Sequence, residues 1–144
     1  MIVDRDRQAA LLAWFAAHAR DLPWRSLDRL PTPYAVVVSE LMLQQTRVDT
    51  VRDYFARWLA RWPDWRTLAT ASVDEVLGQW TGLGYYNRAR NLHKLAQTVV
   101  RDHAGQLPRD LAAVRALPGI GPYTAGAVLS IAYGQPAALV DGNV

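Results

Sequence analysis

Leu117-Pro118-Gly119-Ile120-Gly121-Pro122-Tyr123-Thr124-Ala125-Gly126, followed fifteen residues later by Asp141-Gly142-Asn143, decides how this chain reads. Two glycines two positions apart separate a short amphipathic segment from an Ala-rich one, so the backbone can turn sharply between two helices. Unpaired N–H groups at the start of the second helix, together with its dipole, would form an anion site suited to a phosphate oxygen. A Gly-x-Gly between helices is also common as a plain turn, and these ten residues alone leave both readings open.

Outward from this hairpin, apolar residues recur at helical spacing almost throughout and no run alternates long enough for a sheet, which predicts an all-α chain. A first helix is expected over Ile2 to Ala19, broken by Leu22-Pro23-Trp24-Arg25 and a polar loop reaching Pro31. Thr32 can cap, and Pro33 can occupy the first turn of, a second helix running through about Gln45. A third is expected from near Arg47 to Trp62, stopped by Pro63, and a short one over Trp65 to Ala71. Ser72-Val73-Asp74-Glu75 is a capping box that opens another to Trp80. After Thr81-Gly82-Leu83-Gly84, a long helix is expected from about Tyr86 to His103, with Gly105 as its stop signal. Arg109 to Ala116 and Pro122 to Tyr133 then flank the hairpin. Trp14, Trp58, Trp62, Trp65 and Trp80 sit at helical spacings and are expected in the core.

The 144 residues, 51% of them hydrophobic, are enough for one domain with a core and exclude a disordered tail. The net charge is only +3, yet the basic set is fifteen arginines and one lysine, Lys94. Arginine's planar fork suits phosphate, although a genome that favours arginine explains the same ratio. With no cysteine there is no disulfide, no thiol nucleophile and no Cys-ligated metal. His18, His93 and His103 lack the paired spacing of a metal site, so no metal is expected on this chain. No apolar stretch approaches the roughly 20 residues of a membrane span, and Met1 to Gln8 is too charged to begin a signal peptide. The expectation is a cytoplasmic protein.

Among residues that can carry chemistry, Glu40 is the sharpest. On a helix its neighbours are Val36, Val37 and Leu43, and a carboxyl on such a face is poorly solvated, which raises its pKa toward neutrality and suits a general acid. A salt-bridged carboxylate at the core edge is the competing reading. Gln44, Gln45 and Thr46 follow at the helix end, where amides suit base edges or simply meet solvent. In Thr81-Gly82-Leu83-Gly84-Tyr85-Tyr86-Asn87-Arg88-Ala89-Arg90, Leu83 and Tyr85 can wedge into a base step beside Arg88 and Arg90. A core tyrosine pair above a solvated helix face is the alternative.

Taken together, Leu22 to Arg25, Ser39 to Thr46, Trp80 to His93, Leu117 to Gly121 and Val140 to Val144 resemble, in order and spacing, the adenine-DNA glycosylases of the MutY type. That family belongs to the helix-hairpin-helix DNA glycosylases, which implies an all-α fold of that kind. It also implies removal of adenine mispaired with 8-oxoguanine or guanine in double-stranded DNA. By this resemblance Glu40 matches the general acid that protonates adenine at N7, and Asp141 the carboxylate that stabilises or transiently bonds the sugar cation. Asn143 and Tyr123 match residues that place that carboxylate, the water and the base. Trp24, Arg25 and Leu43 resemble the adenine-pocket lining, Gln45 and Tyr85 the residues that intrude into the duplex, and Gly119 and Gly121 the backbone donors to phosphate. Bifunctional relatives carry a lysine where Tyr123 stands; tyrosine forms no imine, so a purely hydrolytic, monofunctional enzyme is implied.

The resemblance further implies an iron–sulfur cluster, [4Fe-4S], held by four downstream cysteines that this chain lacks, and a C-terminal domain for 8-oxoguanine recognition. The chain is therefore expected to be a fragment truncated before the cluster region, monomeric, away from membranes and inactive alone. Residues 1–144 would form part of the catalytic domain: about 30–116 a six-helix-barrel region, 109–133 the helix-hairpin-helix, and 1–29 and 134–144 part of a second lobe. The loop Ser26 to Pro31 is longer than the family pattern leads one to expect. A thymine-DNA mismatch glycosylase of the same superfamily, and a non-catalytic DNA-binding module, are the alternatives.

Overall fold

A computed structural model describes residues 4–25 and 30–139. Eight α-helices follow one another among these residues: α1 Arg5–His18, α2 Pro33–Leu43, α3 Val48–Arg61, α4 Trp65–Thr70, α5 Val73–Trp80, α6 Asn87–Asp102, α7 Leu111–Arg115 and α8 Pro122–Ala127. A π-helical segment, Val128–Ala132, continues α8. The β pairing found among the described residues is an isolated antiparallel bridge between Leu22 and Arg25.

The centre of the fold is α2. Tyr34 and every residue from Val36 to Met42 are buried, as a helix apolar on all sides must be. Thr32 caps it, its side chain accepting from Ala35 N–H at 3.1 Å, with Pro33 in the first turn. Helices α3, α6, α8 and the π segment pack around it, and α4 and α5 lean on α6. From α3, Val51, Phe55 and Trp58 turn inward; from α6, Ala89, Leu92, Leu95, Ala96 and Val99 do. Both sets follow the i, i+3, i+4 rule of a one-sided helix.

Aromatic rings join these layers. Trp58 lies edge-on to Trp62 and Trp80, with centroids 4.8 and 5.6 Å away. Its indole N–H donates to Tyr34 Oη at 3.1 Å, and that hydroxyl donates to the Trp62 carbonyl at 2.6 Å. Burial pushes the Tyr34 phenol well above its ordinary range, so the hydroxyl stays protonated as the donor this chain requires.

Two predicted helix-end signals hold: Ser72 and Glu75 form a reciprocal capping box at the start of α5, and Gly105, at φ +79°, follows the end of α6. Three expectations need correction. Trp14 is not in the core: it is 58% exposed, along with Leu11, Leu12 and Phe15, and no residue of α1 is buried. The helix before the hairpin starts at Leu111, because the Asp110 side chain accepts from Ala113 N–H and caps it there. The helix after the hairpin widens into a π turn, where Ser130 Oγ donates to Gly126 O at 2.7 Å and Tyr133 N–H reaches back to Val128 O.

Candidate active site

A cleft of about 410 Å³ opens between the end of α2, the turn before residue 26 and the start of α8. Glu40 sits in it at 5% exposure. Its position follows from the burial of α2: the flanking valines and leucines fix the helix, and a carboxylate projects from its last turn. Arg25 Nη2 donates to Glu40 Oε1 at 3.2 Å. Arg25 itself is exposed, so the pair spans the boundary between solvent and core.

The turn holding Arg25 is pinned from two sides. Arg25 N–H donates to Leu22 O at 3.0 Å, and Arg52 Nη2 on α3 donates to Asp21 O at 3.1 Å. Trp24, 2% exposed, lies edge-on to Phe55 at 5.4 Å and also lines the cleft. Leu43, Gln44 and Gln45 form another side, and Tyr123 on α8 a third. The structure thus brings Glu40, Trp24, Arg25, Leu43, Gln44, Gln45 and Tyr123 to one cavity. Sequence reading missed Arg20, Leu22 and Val48, which also line it. Arg20 lies five residues before Arg25 at the end of a helix, a signal too common to single it out. Asp141 and Asn143 lie outside the described residues.

A second group comprises the residues just after α2 and those around Tyr85. Gln45 is exposed with φ +57°, and Tyr85 is 64% exposed with φ +49°, a region that non-glycine residues visit rarely. Thr46 Oγ1 donates to Gln44 O. Leu83, expected with Tyr85 to wedge into a base step, is 7% exposed and belongs to the core, which leaves Tyr85 as the exposed one of the two. The reason is the turn, which buries Leu83 as Leu83 N–H bonds to Trp80 O and the Trp80 indole donates to Gly84 O.

Arg88 also departs from expectation. Rather than reaching outward for phosphate, its guanidinium is buried and donates to main-chain carbonyls of two segments: Leu41 at 2.6 Å, Met42 at 3.2 Å and Gln44 on one side, and Leu83 at 3.3 Å and Gly84 at 3.1 Å on the other. Its Nε adds a long bond to Tyr85 O. Burial lowers its pKa, and the carbonyls and the Trp80 ring face, 5.2 Å from the guanidinium carbon, offset the lost hydration. The sequence missed this role because a buried, carbonyl-bonded arginine has no local pattern; Arg90, the exposed neighbour, donates to Asn87.

The hairpin closes through Leu117 N–H to Val114 O and Ile120 N–H to Leu117 O, with both side chains buried. Gly119 has φ +74°, and a Cβ there would lie 2.7 Å from Asn91 Cβ, so glycine is required. Gly121 differs. Its φ is −92°, and a Cβ would meet nothing within 4 Å. Among the described residues, nothing accepts from the N–H of Gly119 or Gly121.

No cysteine exists in the chain, and among the described residues no cluster of three or more histidine, cysteine, aspartate or glutamate side chains could hold a metal. The residues present do not fit a thiolate-held cluster. No helix among the described residues is long and apolar enough to cross a membrane.

Comparison with known proteins places this geometry. A mouse adenine DNA glycosylase is 49% identical over 140 residues, covering 93% of this chain and 27% of its own. The adenine DNA glycosylase of Mycobacterium tuberculosis (strain CDC 1551 / Oshkosh) is 45% identical over 134 residues, covering 93% of this chain and 43% of its own. The chain therefore spans about a quarter to just over two-fifths of the length of these relatives. The solved structure of a thermostable thymine-DNA glycosylase superposes with a TM-score of 0.84 at 30% identity, covering 94% of this chain and 61% of that one. An endonuclease III–DNA covalent intermediate shares the fold, with a TM-score of 0.77 at 23% identity over 99% of this chain and 66% of that one. Residues 38–144 match the family model described as HhH-GPD superfamily base excision DNA repair protein, and with its helical hairpin and its buried glutamate the chain belongs to that superfamily.

Proposed function

We propose that the protein hydrolyses the N-glycosidic bond of adenine mispaired with 8-oxoguanine or guanine in double-stranded DNA, leaving an apurinic site. One observation carries this reading: Glu40 lies buried in a cleft with room for a flipped purine, beside Tyr123. In the step written for it, Glu40 gives a proton to adenine N7, and the C1′–N9 electron pair leaves with the base. Water then adds to the sugar cation and gives a proton to the Glu40 carboxylate, which restores the acid, so adenine and abasic DNA are the two products. Asp141 is assigned to stabilise or transiently bond the cation, and Asn143 and Tyr123 to place that carboxylate and the water. Trp24, Arg25 and Leu43 line the base pocket. Gln45 and Tyr85 enter the duplex, while Gly119 and Gly121 offer N–H groups to a backbone phosphate.

The thymine-DNA glycosylase neighbour favours a second reading, removal of mismatched thymine. Thymine has no counterpart of N7 for Glu40 to protonate, which favours adenine. Duplexes carrying adenine or thymine opposite guanine or 8-oxoguanine separate the two readings, and release of neither base would leave a DNA-binding module. Borohydride should trap no covalent adduct with the protein, because Tyr123 offers no amine; an adduct would point to another nucleophile such as Lys94. We further assign the complete protein a [4Fe-4S] cluster outside this chain, a monomeric state and a cytoplasmic location. Residues 30–116 are assigned to a six-helix barrel, and 1–29 with 134–144 to a second lobe.

A further inference from the structure

The end of α2 and the turn after α5 are held by the same side chain. Helix ends leave carbonyls without intrahelical partners, and α2 ends not on a glycine but on Gln44 and then Gln45 at φ +57°. Arg88 Nη1 supplies what the helix end lacks, donating to Leu41, Met42 and Gln44. Its other nitrogens donate to Leu83, Gly84 and Tyr85, the last at φ +49°. The guanidinium is saturated only while both segments sit against it, and among the described residues no carboxylate pairs with it. We propose that Arg88 is a positioning residue that joins the Gln45 tip and the Tyr85 tip into one rigid two-pronged element, which enters the DNA duplex as a unit. This rests on the glycosylase reading above, which gives the tips their target.

The chemistry demands arginine. Its planar fork offers five N–H donors in fixed directions, whereas a lysine ammonium has three on a flexible stem and cannot span two backbone segments. The Trp80 face, 5.2 Å from the guanidinium carbon, sets the plane of the fork. Tyr54 Oη, donating to Thr81 O at 2.7 Å, ties the same turn to α3, so the turn survives the loss of Arg88 while its registration to α2 does not.

The test uses Arg88→Lys in the intact protein, with folding checked by circular dichroism. Amide exchange should rise together in residues 43–46 and 83–86 and stay unchanged in α4. A rise in one segment only, or in neither, overturns the coupling whether or not the protein is a glycosylase. On an adenine mispair beside 2-aminopurine, Arg88→Lys should bind within about threefold of wild type. Base unstacking and single-turnover release should fall roughly 10²-fold, the scale expected when reacting groups are misplaced by about 1 Å. Wild-type unstacking by the variant overturns the proposal and leaves the glycosylase reading intact. A wild-type protein that unstacks and releases nothing overturns that reading, and with it the duplex-entering role, while the exchange experiment still decides the coupling. Should Arg88→Lys fail to fold, a cycle of Gln45→Ala and Tyr85→Ala decides: one element predicts that the double variant loses no more than the worse single, and additive losses overturn it.

Discussion

Arg25 Nη2 lies 3.2 Å from Glu40 Oε1, with the carboxylate in the core and the guanidinium at the surface. The asymmetry suits a site that must admit a base. An exposed arginine can swing aside at little cost, whereas the glutamate is held by a helix buried on all sides. The ion pair is one of two readings open for Glu40 from sequence, and the proposed chemistry accommodates both: the group rests as a carboxylate paired with Arg25, takes a proton from solvent when an entering purine displaces that guanidinium, and then gives the proton to the base.

Replacing Glu40 with Gln tests the acid directly. Glutamine keeps the shape and accepts from Arg25 but has no proton to give. Single-turnover adenine release should fall at least about 10²-fold, with duplex affinity largely retained. Release at near wild-type rate would assign the proton to another group.

The two hairpin glycines should part company. Gly119→Ala forces a side chain into positive φ and against Asn91 Cβ, which should cost about 1–3 kcal/mol of stability, read from denaturant midpoints. Gly121→Ala meets no atom, and its stability should stay within about 0.5 kcal/mol of wild type. Alanine keeps the Gly121 N–H, but a phosphate close enough to accept from it would be crowded by the added methyl group, so the same variant should still weaken DNA binding. A Gly121→Ala protein with unchanged affinity would reduce this half of the hairpin to an ordinary turn.

Much of the fold was legible because its determinants are local. The capping pair Thr32–Pro33, the Ser72–Glu75 box and the Gly119 turn are each written within a few residues, and each formed where expected. Glu40 was legible because an acid amid valines is anomalous. What stayed hidden depends on long-range packing. Nothing near Arg88 announces carbonyl partners more than forty positions away at Leu41 and Gln44. Nothing in Leu83 says which way a glycine-flanked turn will point it. Trp14 was misplaced because helical spacing shows that apolar residues share a face, not that another element covers that face.

Leu83 and Tyr85, two positions apart, should respond oppositely. Leu83→Ala removes a side chain from the core and should cost about 2–4 kcal/mol of stability. Tyr85→Ala removes a mostly exposed ring and should change stability by no more than about 0.5 kcal/mol while losing base release. Paired thermal melts and excision assays check this. A destabilised Tyr85→Ala with normal excision would mean that the exposed ring serves the fold.

The stability of α5 should carry a pH signature from Glu75. Its Oε2 accepts from Ser72 N–H at 2.8 Å and its Oε1 from Arg61 Nη2 at 3.1 Å. The backbone N–H of Ser72 first, then the Ser72 hydroxyl and Arg61, hold this carboxyl below the usual carboxylate range. A carboxyl whose pKa is lower folded than unfolded binds fewer protons in the native state, so unfolding takes up protons as pH falls. Its contribution is therefore complete above the unfolded value, about 4.3, and disappears as pH drops through the lower folded value. Glu75→Gln retains an acceptor for Ser72 N–H but neither the charge nor the titration. Wild type should be more stable than Glu75→Gln at pH 7, and the gap should shrink below about pH 4.3 and close in stronger acid. Because the group is exposed, added salt should narrow the Arg61 part of the gap at pH 7 and leave the Ser72 part. Urea midpoints for both proteins across pH 2–7 give the measurement, and a gap that does not vary with pH would mean that the carboxylate charge adds nothing to the cap.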